Sequence, residues 1–125
     1  MYGSQRRTWV VKFSDAFRGV AQGVRGQSSF YVHIAMAILV VLVAAFLRVS
    51  AAEWCLLVLC IAGVWTAELF NSSIEFLAKA TDTQHNANLG AALDIASGAV
   101  LVMSIGSVVV GLIVLGPKLW VRFLI

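Results

Sequence analysis

The chain has 125 residues, 61% of them hydrophobic and only 12% charged, with a formal net charge of +3. Soluble domains are about 45–50% apolar and about 25% charged, so a water-exposed globule of this size could not hide its apolar surface, and disorder is excluded on the same ground. Embedding in a membrane remains, and the length allows a single domain over 1–125.

The first predicted element is amphipathic. Val10, Phe13, Phe17, Val20 and Val24 recur at steps of three and four, while Lys12, Asp15, Arg18, Gln22 and Arg25 occupy other faces. The spacing predicts a helix over 8–25 that lies along the inner membrane surface. A cytoplasmic helix packed on protein is the plainer alternative. Arg6, Arg7, Lys12, Arg18 and Arg25 face Asp15 alone in this segment. The positive-inside bias therefore puts the amino-terminal segment in the cytoplasm, against an anionic membrane face. No lysine and arginine tract interleaved with aromatics occurs, which argues against nucleic acid. No small-residue cleavage site follows a short apolar stretch, so the first apolar run is expected to stay as an anchor.

Residues 26–47 carry no formal charge and predict a first span at 31–48. Residues 54–67 are uncharged too, but crossing a hydrocarbon core of about 30 Å takes about 20 helical residues. The second span, 53–77, must therefore run on through Glu68 and carry a carboxylate inside it. Residues 95–117 are again uncharged and predict a third span at 91–116. Helices are expected throughout, because lipid satisfies no backbone donor or acceptor and no alternating β pattern is present. This topology puts the 48–53 link outside and the 79–93 link inside. The carboxyl-terminal end falls outside in spite of Lys118 and Arg122, which read as anchors in the outer headgroups. Trp54 and Trp120 would mark the outer interface and Trp9 the inner one.

Cys55 and Cys60 match neither a redox nor a metal spacing and read as buried small apolar residues. Ala91, Ala92, Ala96, Ser97, Gly98 and Ala99, with Ser104, Gly106 and Gly111 beyond, would let helix backbones approach closely. Three helices leave much apolar surface uncovered, which points to a homo-oligomer.

Chemistry concentrates on the second span. Glu68, Asn71, Ser72 and Glu75 are spaced by 3, 1 and 3 and share one side of a helix. An ionisable residue inside a span is costly and marks a functional site by default. Asp94 opens the third span at the same inner boundary. Hard oxygen ligands there suit Mg²⁺, which takes one or two carboxylates plus substrate phosphates. A deeper carboxylate could accept a proton from an alcohol at headgroup depth. Two readings stand: phosphoryl transfer from a cytoplasmic nucleotide to a lipid hydroxyl, or carboxylates that snorkel to water or bond neighbouring helices. His33 reads as an interfacial hydrogen-bonding residue and His85 as a solvated loop side chain.

The residues also carry a resemblance. Glu-Leu-Phe-Asn-Ser-Ser-Ile-Glu at 68–75 resembles the ExxNSxxE signature of the small bacterial integral-membrane lipid kinases, the diacylglycerol and undecaprenol kinases. Leu93, Asp94 and the small-residue stretch that follows are similar to that family's other hallmark. Phe17, Arg18 and Gly19, then Phe30 and His33, are similar to its approach to the first span. The resemblance covers nearly the whole chain. It implies an all-α membrane protein, a homotrimer of three-span protomers, each preceded by an amphipathic surface helix. It implies composite active sites at subunit interfaces near the cytoplasmic face of the bacterial inner membrane. There ATP with Mg²⁺ would phosphorylate a lipid alcohol, either diacylglycerol to phosphatidic acid or undecaprenol to undecaprenyl phosphate. Glu68 would be the general base, Glu75 the metal ligand, and Asn71 and Asp94 would help to hold the nucleotide. No Walker loop or kinase glycine loop occurs in the chain, and the family uses neither.

Two positions depart from that pattern. Gln27 stands where the family often has a metal-binding glutamate; its amide oxygen can coordinate but brings no charge. Leu93 stands where the family has a lysine that contacts ATP phosphates, so Arg25 or Lys79 is expected to supply the cation. The departures leave open a catalytically weak or silent membrane scaffold or lipid-binding protein on the same fold. A small transporter is less favoured: three spans give no inverted repeat, and the carboxylates gather at one side.

Overall fold

The structure, a computed structural model, describes residues 8–25, 27–81 and 86–125. These form four helices and, among the described residues, no strand: α1 (Trp9–Val24), α2 (Ser28–Leu47), α3 (Ala51–Thr81) and α4 (Ala87–Leu124). The helix ends follow local chemistry. The Thr8 hydroxyl accepts the Val11 N–H at 3.3 Å and caps α1, and Asn86 Oδ1 accepts the N–H groups of Asn88 and Leu89 to cap α4.

The link between α2 and α3 is tight because both of its ends are closed. Arg48 adopts φ 54°, the left-handed region. The N–H groups of Arg48 and Val49 reach back to the carbonyls of Ala45 and Ala44, both at 3.3 Å, and Val49 packs into the core beside Ala44. This is the paired-bond helix stop that usually employs glycine. Two residues on, the Glu53 carboxylate accepts the Ser50 N–H at 3.0 Å, and the Ser50 hydroxyl accepts the Glu53 N–H at 3.2 Å. That reciprocal cap starts α3.

The packing is concentrated between α3 and α4. At Gly63 a Cβ would overlap the terminal methyl of Met103, so that flexible side chain lies across the glycine and would have to turn aside for a larger residue. At Gly23 of α1 the methyl end of Leu69 occupies the place of a Cβ. Few side chains are buried. Ala44, Val49, Leu57, Val114 and Leu115 make one core at the α2–α3 turn. At the other end Phe30 is 1% exposed and its ring centroid lies 6.1 Å from that of Trp65.

Most of the remaining apolar surface faces outward. Leu101, Val102, Ile105, Val108, Leu112 and Ile113 of α4 are all exposed. In water that surface would drive aggregation, whereas hydrocarbon solvates it. By length and composition α2, α3 and α4 can each cross a membrane. They outrun the expected spans. At ~1.5 Å per residue α3 and α4 exceed a ~30 Å core, so they must project beyond it or tilt. α4 continues through Pro117, which forfeits one backbone bond without ending the helix. Cys55 corrects the expectation of burial: it is exposed, Cys60 is half-buried, and both are free thiols. An outward thiol costs little where the surroundings are apolar, since free cysteine behaves as a small hydrophobe.

Candidate functional site

The polar stripe of α3 is folded inward against the first turn of α2. Glu68, Asn71 and Ser72 are 2%, 7% and 1% exposed, and they are the buried polar side chains of the described residues. Glu75, one turn further on, is half-buried. A buried carboxylate is costly unless it is hydrogen-bonded, and each of the two has partners from a different helix. The Ser29 hydroxyl donates to Glu68 Oε1. His33 Nε2 stands 3.6 Å from Glu68 Oε2, a contact that becomes an ion pair when the ring is protonated. The Gln27 amide donates to Glu75 Oε2 at 2.6 Å, and the Asn71 amide donates to Glu75 Oε1 at 3.2 Å. From α4 the Ser97 hydroxyl donates to Asn71 Oδ1 at 3.5 Å. Three helices thus contribute to one cluster, and Phe30 on Trp65 makes a dry wall beneath it.

Gln27, Glu68, Asn71 and Glu75 are therefore brought together. Asp94 is not joined to them: its side chain is exposed on α4, one turn before Ser97. Arg25 is exposed at the end of α1. Lys79 lies with its ammonium 5.7 Å from the Phe76 ring centroid. Leu93 is half-buried. Neither Arg25 nor Lys79 bonds the two carboxylates, so the cluster holds two acids and no lysine or arginine among the described residues. His85 lies outside the described residues.

Such a site can attract a cation and can accept a proton. A carboxylate offers about four acceptor positions. Ser29 occupies one on Glu68, and His33 stands beyond hydrogen-bond length, so Oε2 keeps acceptor capacity. With Glu68 2% exposed, an incoming hydroxyl reaches it only when a neighbouring side chain moves. No group of three His, Cys, Asp or Glu gathers among the described residues, so a metal caged wholly by protein does not fit. Mg²⁺ shared with phosphate oxygens does fit the set present, one carboxylate at Glu75 and the amide oxygens of Gln27 and Asn71. Among the described residues Ser72 Oγ is buried with no hydrogen-bond partner.

Three contributors besides Gln27 escape the stripe pattern of α3. Ser29 and His33 are four apart in an otherwise apolar run, which places them on one helical face; that spacing is the signal that could have found them as a pair. Ser97 looked only small, and nothing in its neighbourhood marks it as a donor to Asn71.

Comparison with known proteins adds two findings. The profile of the prokaryotic diacylglycerol kinase family matches residues 14–115. The chain is also 34% identical over 107 residues to the undecaprenol kinase of Bacillus subtilis (strain 168), covering 86% of this chain and 87% of the relative.

Proposed function

The chain belongs to the prokaryotic diacylglycerol kinase family, and from that premise we propose that this lipid kinase uses ATP with Mg²⁺ to phosphorylate a membrane lipid alcohol at the cluster built on Glu68 and Glu75. The observation that carries the reading is the convergence of two carboxylates and two amides from α3 and the cap of α2 without, among the described residues, a lysine or arginine to neutralise them. The relative's name makes undecaprenol the first alcohol to test and diacylglycerol the second.

Phosphoryl transfer demands position and charge stabilisation more than covalent chemistry. In the proposed mechanism Glu68 accepts the hydroxyl proton of the lipid as the oxygen attacks the γ-phosphorus, the bond from that phosphorus to the β–γ bridging oxygen breaks, and ADP leaves. Ser29 holds Oε1, and Oε2, which faces His33 at 3.6 Å, is the oxygen left to take the proton. Mg²⁺, when bound, supplies positive charge to the phosphate oxygens. Glu75 with Gln27 and Asn71 would hold it, and Ser97 fixes Asn71. Asp94 and Arg25 are assigned to the nucleotide from outside the buried cluster. A cleft of about 450 Å³ that begins at Val32 and His33 and passes Met36, Val40 and Val64 supports the lipid assignment, since hydrocarbon would fill it. The reading also takes α1 as a surface helix at the cytoplasmic face of the inner membrane. Its Trp9, Val10, Phe13 and Phe17 are exposed and would enter the lipid. The protomers would assemble as a homotrimer that covers part of the outward apolar surface.

The test is transfer of label from γ-labelled ATP to undecaprenol and to diacylglycerol in mixed micelles with Mg²⁺. Labelled lipid from at least one alcohol is expected. No labelled lipid from either contradicts the reading. Gln27→Glu adds a charged ligand beside Glu75 and is expected to lower the Mg²⁺ concentration for half-maximal rate by roughly threefold to tenfold, because ligand charge tunes affinity. A titration of rate against Mg²⁺ checks it; an unchanged midpoint removes Gln27 from the metal site. The silent-scaffold alternative requires that activity arise only in the Gln27→Glu, Leu93→Lys double variant, and kinship to an undecaprenol kinase disfavours it.

A further inference from the structure

The described residues place a second cluster of charge at the opposite end of the bundle. At ~1.5 Å per residue α3 rises about 22 Å from Glu53 to Glu68 and about 33 Å to Glu75, so the α2–α3 turn lies most of a ~30 Å hydrocarbon core away from the carboxylate site. At that end Arg48, Lys118 and Arg122 line an open cleft of about 780 Å³ together with Phe46, Leu47 and Val121. One carboxylate answers three cations there: Glu53 Oε1 stands 3.4 Å from Lys118 Nζ and is already engaged by the Ser50 N–H. Arg122 lies 5.4 Å from the Phe46 ring centroid, and that ring stacks on Phe123 with centroids 6.3 Å apart. Arg48 is exposed and sits in the strained left-handed conformation of the turn.

This end carries cations on the side where the amino-terminal basic segment says they should be scarce. Two arginines and a lysine around a half-apolar cleft match a phosphate group attached to hydrocarbon. Guanidinium forks pair two oxygens of a phosphate at once, and a lysine adds a point charge. Free phosphate would use the cations but leave Phe46, Leu47 and Val121 wet.

We propose that the cleft formed by Arg48, Lys118 and Arg122 binds the phosphate group of an anionic lipid from the leaflet opposite the catalytic cluster, with the start of its hydrocarbon on Phe46, Leu47 and Val121. The lipid here is a bound ligand and undergoes no reaction. The site stands whether or not the cluster at Glu68 is a kinase centre; it depends only on the chain spanning a bilayer.

Native mass spectrometry of the full chain in neutral detergent, with equal amounts of phosphatidylglycerol and phosphatidylcholine, tests it. The wild type is expected to retain phosphatidylglycerol about tenfold over phosphatidylcholine, the ratio of a ~1.4 kcal/mol preference. The Arg48→Gln, Arg122→Gln double variant should fall to parity. Arg122→Gln alone, which removes no backbone bond of the turn, should lose most of the preference. Lys12→Gln with Arg18→Gln on α1 should keep it. Millimolar inorganic phosphate should displace none of the lipid. Parity in the wild type, or an unchanged preference in Arg122→Gln, overturns the proposal. Loss of preference through the α1 variant instead locates the lipid elsewhere, and displacement by inorganic phosphate makes the site one for the free ion.

Discussion

Glu68→Gln is expected to lower kcat for lipid phosphorylation by about 10²–10⁴-fold, the range that a positioned general base contributes. Glutamine matches glutamate in size and keeps an amide oxygen able to accept from Ser29, so the buried stripe of α3 should still pack. It lacks the basicity to take the proton of the lipid hydroxyl. KM for the lipid and for ATP should change little, because the loss concerns an interaction made in the transition state. Initial rates over both substrates would measure it, with detergent-purified variant and wild type compared at equal oligomer content. A kcat within threefold of the wild type would remove Glu68 as the base. Ser29→Ala gives the companion result. It leaves the carboxylate but removes the hydroxyl that holds Oε1, so a smaller loss is expected, with Glu68 less well aimed.

Glu75→Gln should cost about 10²-fold or more in kcat/KM for ATP, equivalent to about 2.7 kcal/mol, because it removes the one carboxylate assigned to Mg²⁺. The variant is expected to need far more Mg²⁺ for the same rate. A structural role for Glu75 predicts something else. Gln27 and Asn71 both donate to its carboxylate, at 2.6 Å and 3.2 Å. If those bonds only secured α2 to α3, adding Gln27→Glu to Glu75→Gln would bring no recovery. If the role is metal binding, the double variant returns one charged ligand to the same place and should regain part of the rate. Residues in direct contact are expected to behave non-additively. Rates against Mg²⁺ for the two single variants and the double variant separate the cases.

Much of this was readable from the chain because membrane embedding simplifies the rules. Lipid gives no partner to the backbone, so long apolar runs have to be helices. An acid inside a run stands out because it is costly. Glu68, Asn71 and Glu75 share a face by arithmetic alone, and three helices long and apolar enough to span follow from hydropathy. What arithmetic does not supply is which helix answers that face. Ser29 and His33 on α2 and Ser97 on α4 become partners only once the helices pack. Asp94 shows the converse. Its sequence position beside the inner boundary suggests convergence with the two glutamates, yet its side chain stays exposed. Ser97, one turn on along the same face of α4, bonds Asn71, whereas Asp94 makes no hydrogen bond to the cluster. The Arg48 turn was likewise invisible, since a left-handed stop is expected to announce itself with glycine.

The most direct measurement supplies ATP to one side only of proteoliposomes in which the chain has a single orientation and the lipid alcohol is present in both leaflets. With labelled ATP on the side of Lys79 and the α3 carboxyl-terminal end, labelled lipid should form and should depend on Mg²⁺. With ATP confined to the side of Glu53 and Arg48, none should form. Product formed equally from both sides, or only from the Glu53 side, would contradict a catalytic cluster at Glu68 and Glu75.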